Sequence, residues 1–286
     1  MADRIEIDFK ALGYPETPRL GRYDYREAKV GLSSHDHTNV IEICYLAKGR
    51  QMYRVKDTDY VLSGNEIFIT FPGETHSTGG APQEKGILYW FHVAIPKKGG
   101  RFLNCSPDLS ASLIEHLLKL PNRHFAGVPS MRVDLDEMIS ASSRVSDPLQ
   151  RIYLQNRFLD FILKIIECSG KQPRSTVTPQ ISTLLRYIES NVHQSLPLGS
   201  LAARLGLSLP RFKARFKSEV GIPPAEYVLR CKVSEAKKRL LAPRSTVLDV
   251  ALDLNFSSSQ YFATVFRRYT GQTASTFRRA MARSGP

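Results

Sequence analysis

Three imidazoles and a carboxylate recur at close intervals early in the chain. The stretch HDHTNVIEICYLAKG carries His35, His37 and Glu42, with Gly49 just behind it, and PGETH ends on His76. Imidazole nitrogens with one carboxylate form a donor set suited to a borderline divalent metal. The same groups also suit the wall of a small-molecule pocket, with Tyr53, Trp90 and His92 adding flat apolar faces and polar tips. A different chemistry is written near the other end. LGLSLPRFKARFKSEVG (205–221) and NFSSSQYFATVFRRYTG (255–271) each run from serine through two phenylalanines four apart to a basic residue and a glycine. Basic side chains beside short polar ones are what a protein uses on phosphates and base edges of nucleic acid.

Each set needs elements to position it. Residues 1–106 alternate short apolar, β-branched runs with Gly, Asn and Asp turns, the pattern of a small β-barrel or sandwich. Past this point the period becomes helical. Leu109, Leu113, Leu117 and Leu120 are spaced for a helix. DPLQRIYLQNRFLDFILKIIECSG (147–170) reads as a long helix, with Asp147 as its cap and Pro148 at the first position. On that helix Leu149, Ile152, Tyr153, Asn156, Leu159, Leu163 and Ile166 form a stripe, suited to packing on the barrel or on a second copy. Residues 107–170 are thus a helical packing segment. The polar, proline-bearing 171–180 reads as a linker, and 181–286 as an all-helical part, making the class α+β.

In that last part the repeat is a short helix, a tight turn and a second helix. Ala202, Leu205 and Ser208 match Ala251, Leu254 and Ser257 at an offset of 49, and after one inserted residue Phe212, Phe216, Lys217 and Gly221 match Phe262, Phe266, Arg267 and Gly271. This is the helix-turn-helix pattern. The alanines let the paired helices approach, Ser208 and Ser257 are placed to cap, and the phenylalanines point inward. The free faces are Pro210, Arg211, Lys213 and Ala214 in the first copy and Ser259, Gln260, Ala263 and Thr264 in the second, placed to read bases. Ser208, Lys217, Ser257, Arg267 and Arg268 are placed for phosphates. The stretch 224–242 reads as one helix joining the copies.

Bulk properties agree. Formal net charge is +13, and residues 181–286 hold 17 Lys and Arg against 6 Asp and Glu, so nearly all the excess lies beside the repeat. That asymmetry favours a polyanionic partner. Four well-separated cysteines with no C-x-x-C pair fit a reducing cytoplasm. The opening MADRIEIDFK has no apolar leader region, and no apolar run is long enough for a membrane span.

The run ALDLNFSSSQYFATVFRRYTG (251–271), supported by LAARLGLSLPRFKARFK (201–217), resembles the AraC/XylS-type transcription regulators over about a hundred residues. The resemblance implies seven helices with two helix-turn-helix units on one connecting helix, bound to double-stranded DNA. Asn255 stands where such proteins usually have a turn glycine, and asparagine tolerates the left-handed conformation. The H-x-H-x4-E-x6-G and P…H spacings resemble cupin motifs, which implies an N-terminal barrel that binds a small molecule. A sugar is one option. The cupin resemblance also offers a divalent metal on His35, His37, Glu42 and His76. The family further implies a homodimer through the helices after the barrel and, for an activator, contact with RNA polymerase. The expected function is a ligand-responsive regulator, an activator rather than a repressor and not an enzyme. The competing readings are a metal-dependent cupin enzyme with a nucleic-acid-binding tail and a DNA binder without sequence preference.

Overall fold

A computed structural model describes residues 4–17, 19–79, 81–103, 105–144, 147–171, 178–242 and 245–283. The expected linker falls mostly outside the described residues. The chain divides into two compact units, Met1–Tyr25 with Leu32–Gly80 and Gly86–Arg174, and Arg26–Gly31 with Ala81–Lys85 and Ser175–Pro286.

The first unit holds strands β1 (Arg4–Asp8), β2 (Arg19–Tyr25), β3 (Val40–Val55), β4 (Thr58–Ser63), β5 (Glu66–Thr70), β6 (His76–Ser77) and β7 (Gly86–Ala94). An eighth, β8 (His124–Ala126), lies inside the segment expected to be helical throughout and pairs antiparallel with β5. Three residues are too few to show a period of two, so only the neighbouring strand makes them β. Hydrogen bonds run in the order β1-β2-β7-β3-β5-β8, with β4 and β6 joined to β3 as well. The first part of β3 pairs with β5 and β7, and its last six residues pair with β4. Strand alternation therefore gives β3 two duties. Ile41, Ile43 and Tyr45 enter the larger core, while Cys44, Leu46, Tyr53 and Val55 enter a smaller one with Leu62, Phe68 and Trp90.

The larger core is closed by helices α1 (Pro107–Leu118), α2 (Ser130–Ala141) with a short 3-10 turn after it, and α3 (Pro148–Cys168). Asp147 caps α3 as expected, its carboxylate accepting from the Leu149 N–H at 2.9 Å. The expected stripe divides: Leu159 and Ile166 pack against the core, and the rest of its large apolar residues stay open. Leu149, Ile152 and Leu163 are 72%, 55% and 50% exposed, while Leu154, Phe158, Phe161, Ile162 and Ile165 are buried. Ring contacts of Phe158 with Phe9 (4.9 Å) and of Phe158 and Phe161 with Phe91 (both 5.6 Å) show what turned the helix this way.

The second unit has helices α4 (Pro179–Ser190), α5 (Leu198–Ala203), α6 (Leu209–Val220), α7 (Pro224–Arg239), α8 (Val247–Asp253), α9 (Ser259–Thr270) and α10 (Ala274–Arg283). They form two small cores. Ile181, Leu184, Leu201, Phe212 and Phe216 fill the first, and Val250, Leu254, Phe262, Val265, Phe266 and Phe277 the second. The connecting helix α7 serves both, giving Tyr227 and Val228 to one and Val233, Ala236 and Leu240 to the other.

A polar latch ties the start of α4 to the end of α6. The Thr178 N–H and hydroxyl donate to Glu219 at 2.9 and 2.7 Å, and Arg215 Nε donates to the same carboxylate at 2.8 Å. Burial pushes the Glu219 carboxyl up, but the hydrogen bonds from Arg215 and Thr178 outweigh it and hold it below the ordinary glutamate value of 4.5. A carboxyl with its pKa lowered by folding stabilises above its unfolded value and loses that contribution as pH falls through the folded one. Melting of the whole chain between pH 5 and 3 is therefore expected to fall more steeply in the wild type than in Glu219→Gln. Parallel pH profiles would remove Glu219 from the latch.

Candidate functional site

Glu42 is the hub of the first unit's polar cluster. Strand alternation turns it inward from β3, and the register sets it opposite His92 on β7. His76 arrives on β6, which pairs with the far end of β3 and bridges to His35. The Glu42 carboxylate lies 2.9 Å from Nε2 of His76, 3.7 Å from Nε2 of His37 and 3.7 Å from Nε2 of His92. Donor atoms of His35, His37, Glu42 and His76 all lie within 4.8 Å of one another. Burial pushes the Glu42 carboxyl up, but the contacts with His37, His76 and His92 outweigh it and hold it well below the usual range.

Backbone carbonyls set the outer side of two rings. Nδ1 of His35 meets the Ser33 oxygen at 2.9 Å, and Nδ1 of His76 meets the Glu74 oxygen at 3.1 Å. A carbonyl can only accept, so Nδ1 carries the proton and Nε2 faces the cluster. Nε2 of His37 and of His76 are buried without a partner of sound hydrogen-bond geometry, despite the short contact of His76 with Glu42. Unsatisfied inward nitrogens beside an ionised carboxylate are what a metal-holding set needs, so the residues fit a divalent cation.

The remaining expected pocket residues also converge. Trp90 lies 4.9 Å, ring to ring, from His92, and Tyr53 stacks on Phe68 at 4.9 Å. Cys44, missed in the sequence, is buried beside them, and burial pushes its thiol well up. Its position two residues after Glu42 on one strand was the available signal. Gly21 was missed as well. It lies opposite Trp90 across β2 and β7, and a Cβ there would come within 2.1 to 2.5 Å of the indole.

In the second unit the two copies fold alike. The Leu207 N–H donates to the Ala202 carbonyl at 3.1 Å, and the Phe256 N–H to the Ala251 carbonyl at 3.0 Å. Gly206 and Asn255 supply the left-handed residue of each turn, at φ 64° and 54°. Gly221 and Gly271 close α6 and α9 in the same conformation. Lys232, buried on α7, donates to the Asn255 carbonyl at 3.0 Å and braces the second turn. Burial of the ammonium lowers its pKa.

The expected inward and outward faces are as the structure has them. Phe212, Phe216, Phe262 and Phe266 are fully buried. Pro210, Arg211, Lys213, Ala214 and Lys217 are exposed along α6, as are Gln260, Ala263, Thr264, Arg267 and Arg268 along α9, with Ser259 half-buried. The Thr264 hydroxyl donates to the Gln260 carbonyl at 3.0 Å. The exposed phenol of Tyr261, missed in the sequence, lies next to Gln260.

The capping roles need two corrections. Ser258, not Ser257, caps α9, accepting from the Tyr261 N–H at 3.0 Å, so the inserted residue is Ser257, which is exposed. Ser208 precedes α6 but makes no capping hydrogen bond. Pro210 removes the N–H at the second helical position, one of the two groups that such a hydroxyl accepts from.

Among the described residues no helix is long and apolar enough to cross a membrane, and Cys44, Cys105, Cys168 and Cys231 are all free.

Comparison with known proteins agrees with both halves. Residues 20–97 match the AraC-like ligand binding domain, and 201–280 match a helix-turn-helix domain family. The HTH-type transcriptional activator RhaS of Pectobacterium carotovorum subsp. carotovorum (strain PC1) is 23% identical over 263 residues, 88% of this chain and 90% of its own. The HTH-type transcriptional activator AarP of Providencia stuartii is 36% identical over 98 residues, 34% of this chain and 73% of its own. The bifunctional transcriptional activator/DNA repair enzyme AdaA of Bacillus subtilis (strain 168) is 31% identical over 114 residues, 39% of this chain and 54% of its own. With an AraC-like ligand-binding domain ahead of a doubled helix-turn-helix, the chain belongs to the AraC family of transcription regulators.

Proposed function

We propose that the protein is a sequence-specific transcription activator of the cytoplasm. It grips duplex DNA through α6 and α9 and is controlled by a small molecule bound among His35, His37, Glu42, Tyr53, His76, Trp90 and His92. One observation carries the DNA reading: in both copies the aromatic pair is buried while the opposite face is open, and the open faces hold Arg211, Lys213, Lys217, Arg267 and Arg268. On α9 there is no acidic residue to oppose the phosphates. The reading gives residues 1–106 the effector site, 107–170 a packing and pairing role, and 181–286 the DNA. The open apolar row Leu149, Ile152 and Leu163 on α3 supports pairing of two copies. As an activator the protein would also touch RNA polymerase. No catalytic step is assigned, and a sugar is one candidate effector.

Binding constants across a salt series test this. Log K is expected to fall linearly with log salt, because each phosphate neutralised releases counterions. A flat line, or equal affinity for all duplexes, would overturn the reading. At residue level, Gln260→Ala is expected to relax discrimination at one base pair by about 1–3 kcal/mol. Arg268→Ala is expected to weaken all sequences alike and to reduce the salt slope by about 1. Identical profiles for the two variants would show that α9 does not divide its faces in this way.

A further inference from the structure

We infer that the two helix-turn-helix copies divide the work on DNA: α9 chooses the sequence, favouring adenine–thymine pairs, while α6 supplies grip with little choice of base. This division rests on the DNA reading proposed above. The buried phenylalanines set the two helices in register. Phe212 and Phe216 on α6 match Phe262 and Phe266 on α9, and all four are fully buried. At about 3.6 residues per turn, the positions two before and two after the first phenylalanine lie opposite it. On α9 these are Gln260 and Thr264, on α6 Pro210 and Ala214, and all four are exposed.

The two central pairs differ in chemistry. Gln260 offers a donor and an acceptor on one planar amide, the pattern that matches N6 and N7 of adenine. The Ser259 hydroxyl donates to its Oε1 at 3.3 Å and steadies the amide. Thr264 commits its hydroxyl to the Gln260 carbonyl, so its methyl is the group left to meet the C5-methyl of a thymine. Pro210 and Ala214 carry no side-chain donor or acceptor, so the centre of α6 cannot tell base edges apart by hydrogen bonds. The long side chains of α6 stand elsewhere. Arg215 is half-buried and donates to Glu219 and to the Gln180 side-chain oxygen, each at 2.8 Å. Arg211 and Lys213 flank the blank centre, and Lys217 follows it. Cations at the edges of a groove-facing helix meet the phosphates of the groove walls, which every sequence presents.

The test selects binding sites for the full chain from a pool of randomised duplexes and then titrates single-base variants of the selected site. One block of strong preference per chain, containing an adenine–thymine pair, is expected. Substitutions in it should weaken binding about 5- to 150-fold, and those in the flanking region less than about 3-fold. Gln260→Ala is expected to flatten the block. Joint Arg211→Ala and Lys213→Ala is expected to weaken all duplexes alike and to lower the salt slope by about 2, with the preferred sequence unchanged. Joint Pro210→Gln and Ala214→Thr is expected to add a second block. Circular dichroism checks that each variant is folded, and the wild-type selection decides the matter should any of them unfold. A second wild-type block of equal strength and different sequence, or a preferred sequence altered by the Arg211 and Lys213 changes, would overturn the division while leaving a sequence-specific DNA binder. Selection of no sequence at all would overturn the proposed function itself, and the division with it.

Discussion

Phe266→Ala is expected to destabilise the second helix-turn-helix by about 3–5 kcal/mol, the range for truncating a fully buried phenylalanine. The ring lies 5.6 Å from Phe262 and 5.7 Å from Phe277, with no exposed surface, in a core of only fourteen buried residues among those described. So small a core has little scope to collapse around the cavity. The measurement is urea unfolding of the full chain followed by far-ultraviolet circular dichroism, with DNA affinity beside it. Phe216→Ala should act comparably on the first helix-turn-helix, whose core is separate. The comparison with Gln260→Ala makes the test sharp. That exposed side chain should cost less than about 0.5 kcal/mol of stability while altering base preference. A loss below about 1 kcal/mol for Phe266→Ala would mean that the ring does not hold α9 on its unit.

Gly21→Ala is the second large effect. Its Cβ would fall 2.1 to 2.5 Å from three indole atoms of Trp90, so the indole must move. Trp90 is 8% exposed and packed beside Cys44 and Tyr23, which leaves it little room. Overpacking of this kind costs about 1–3 kcal/mol. The chain has a single tryptophan, so its emission reports this site alone. A lower melting temperature together with a shifted emission maximum is expected. Unchanged melting and emission would show that the glycine merely permits the strand rather than making room for the indole.

Much of the second unit was legible because its signals are local. A helix cap, a left-handed turn residue and a phenylalanine pair four apart each act within a turn or two. Asp147, Asn255 and Gly271 could therefore be read directly, and the duplication checked one reading against another. Failures came where two local options were nearly equal. Ser257 and Ser258 are adjacent and chemically identical, and only the placement of the inserted residue chose the cap. Two apolar stripes run along α3, and Phe9, just past β1, and Phe91 on β7 decided which turned inward.

In the first unit, His35, His37 and Glu42 stood out by spacing, and strand alternation implied that Glu42 and Cys44 share a face. Those properties belong to the amino-acid order alone, as do the cationic charge of the last third and the two-fold helical pattern. Tertiary structure decided the rest. His76 and His92 reach Glu42 from other strands, so their meeting depends on register, which a one-residue slip would reverse. The clearance of Trp90 over Gly21, the burial of Lys232 against a turn carbonyl and the existence of β8 likewise depend on partners far away in the chain. Contacts between distant segments leave no periodic trace in either partner, and only the folded chain brings them together.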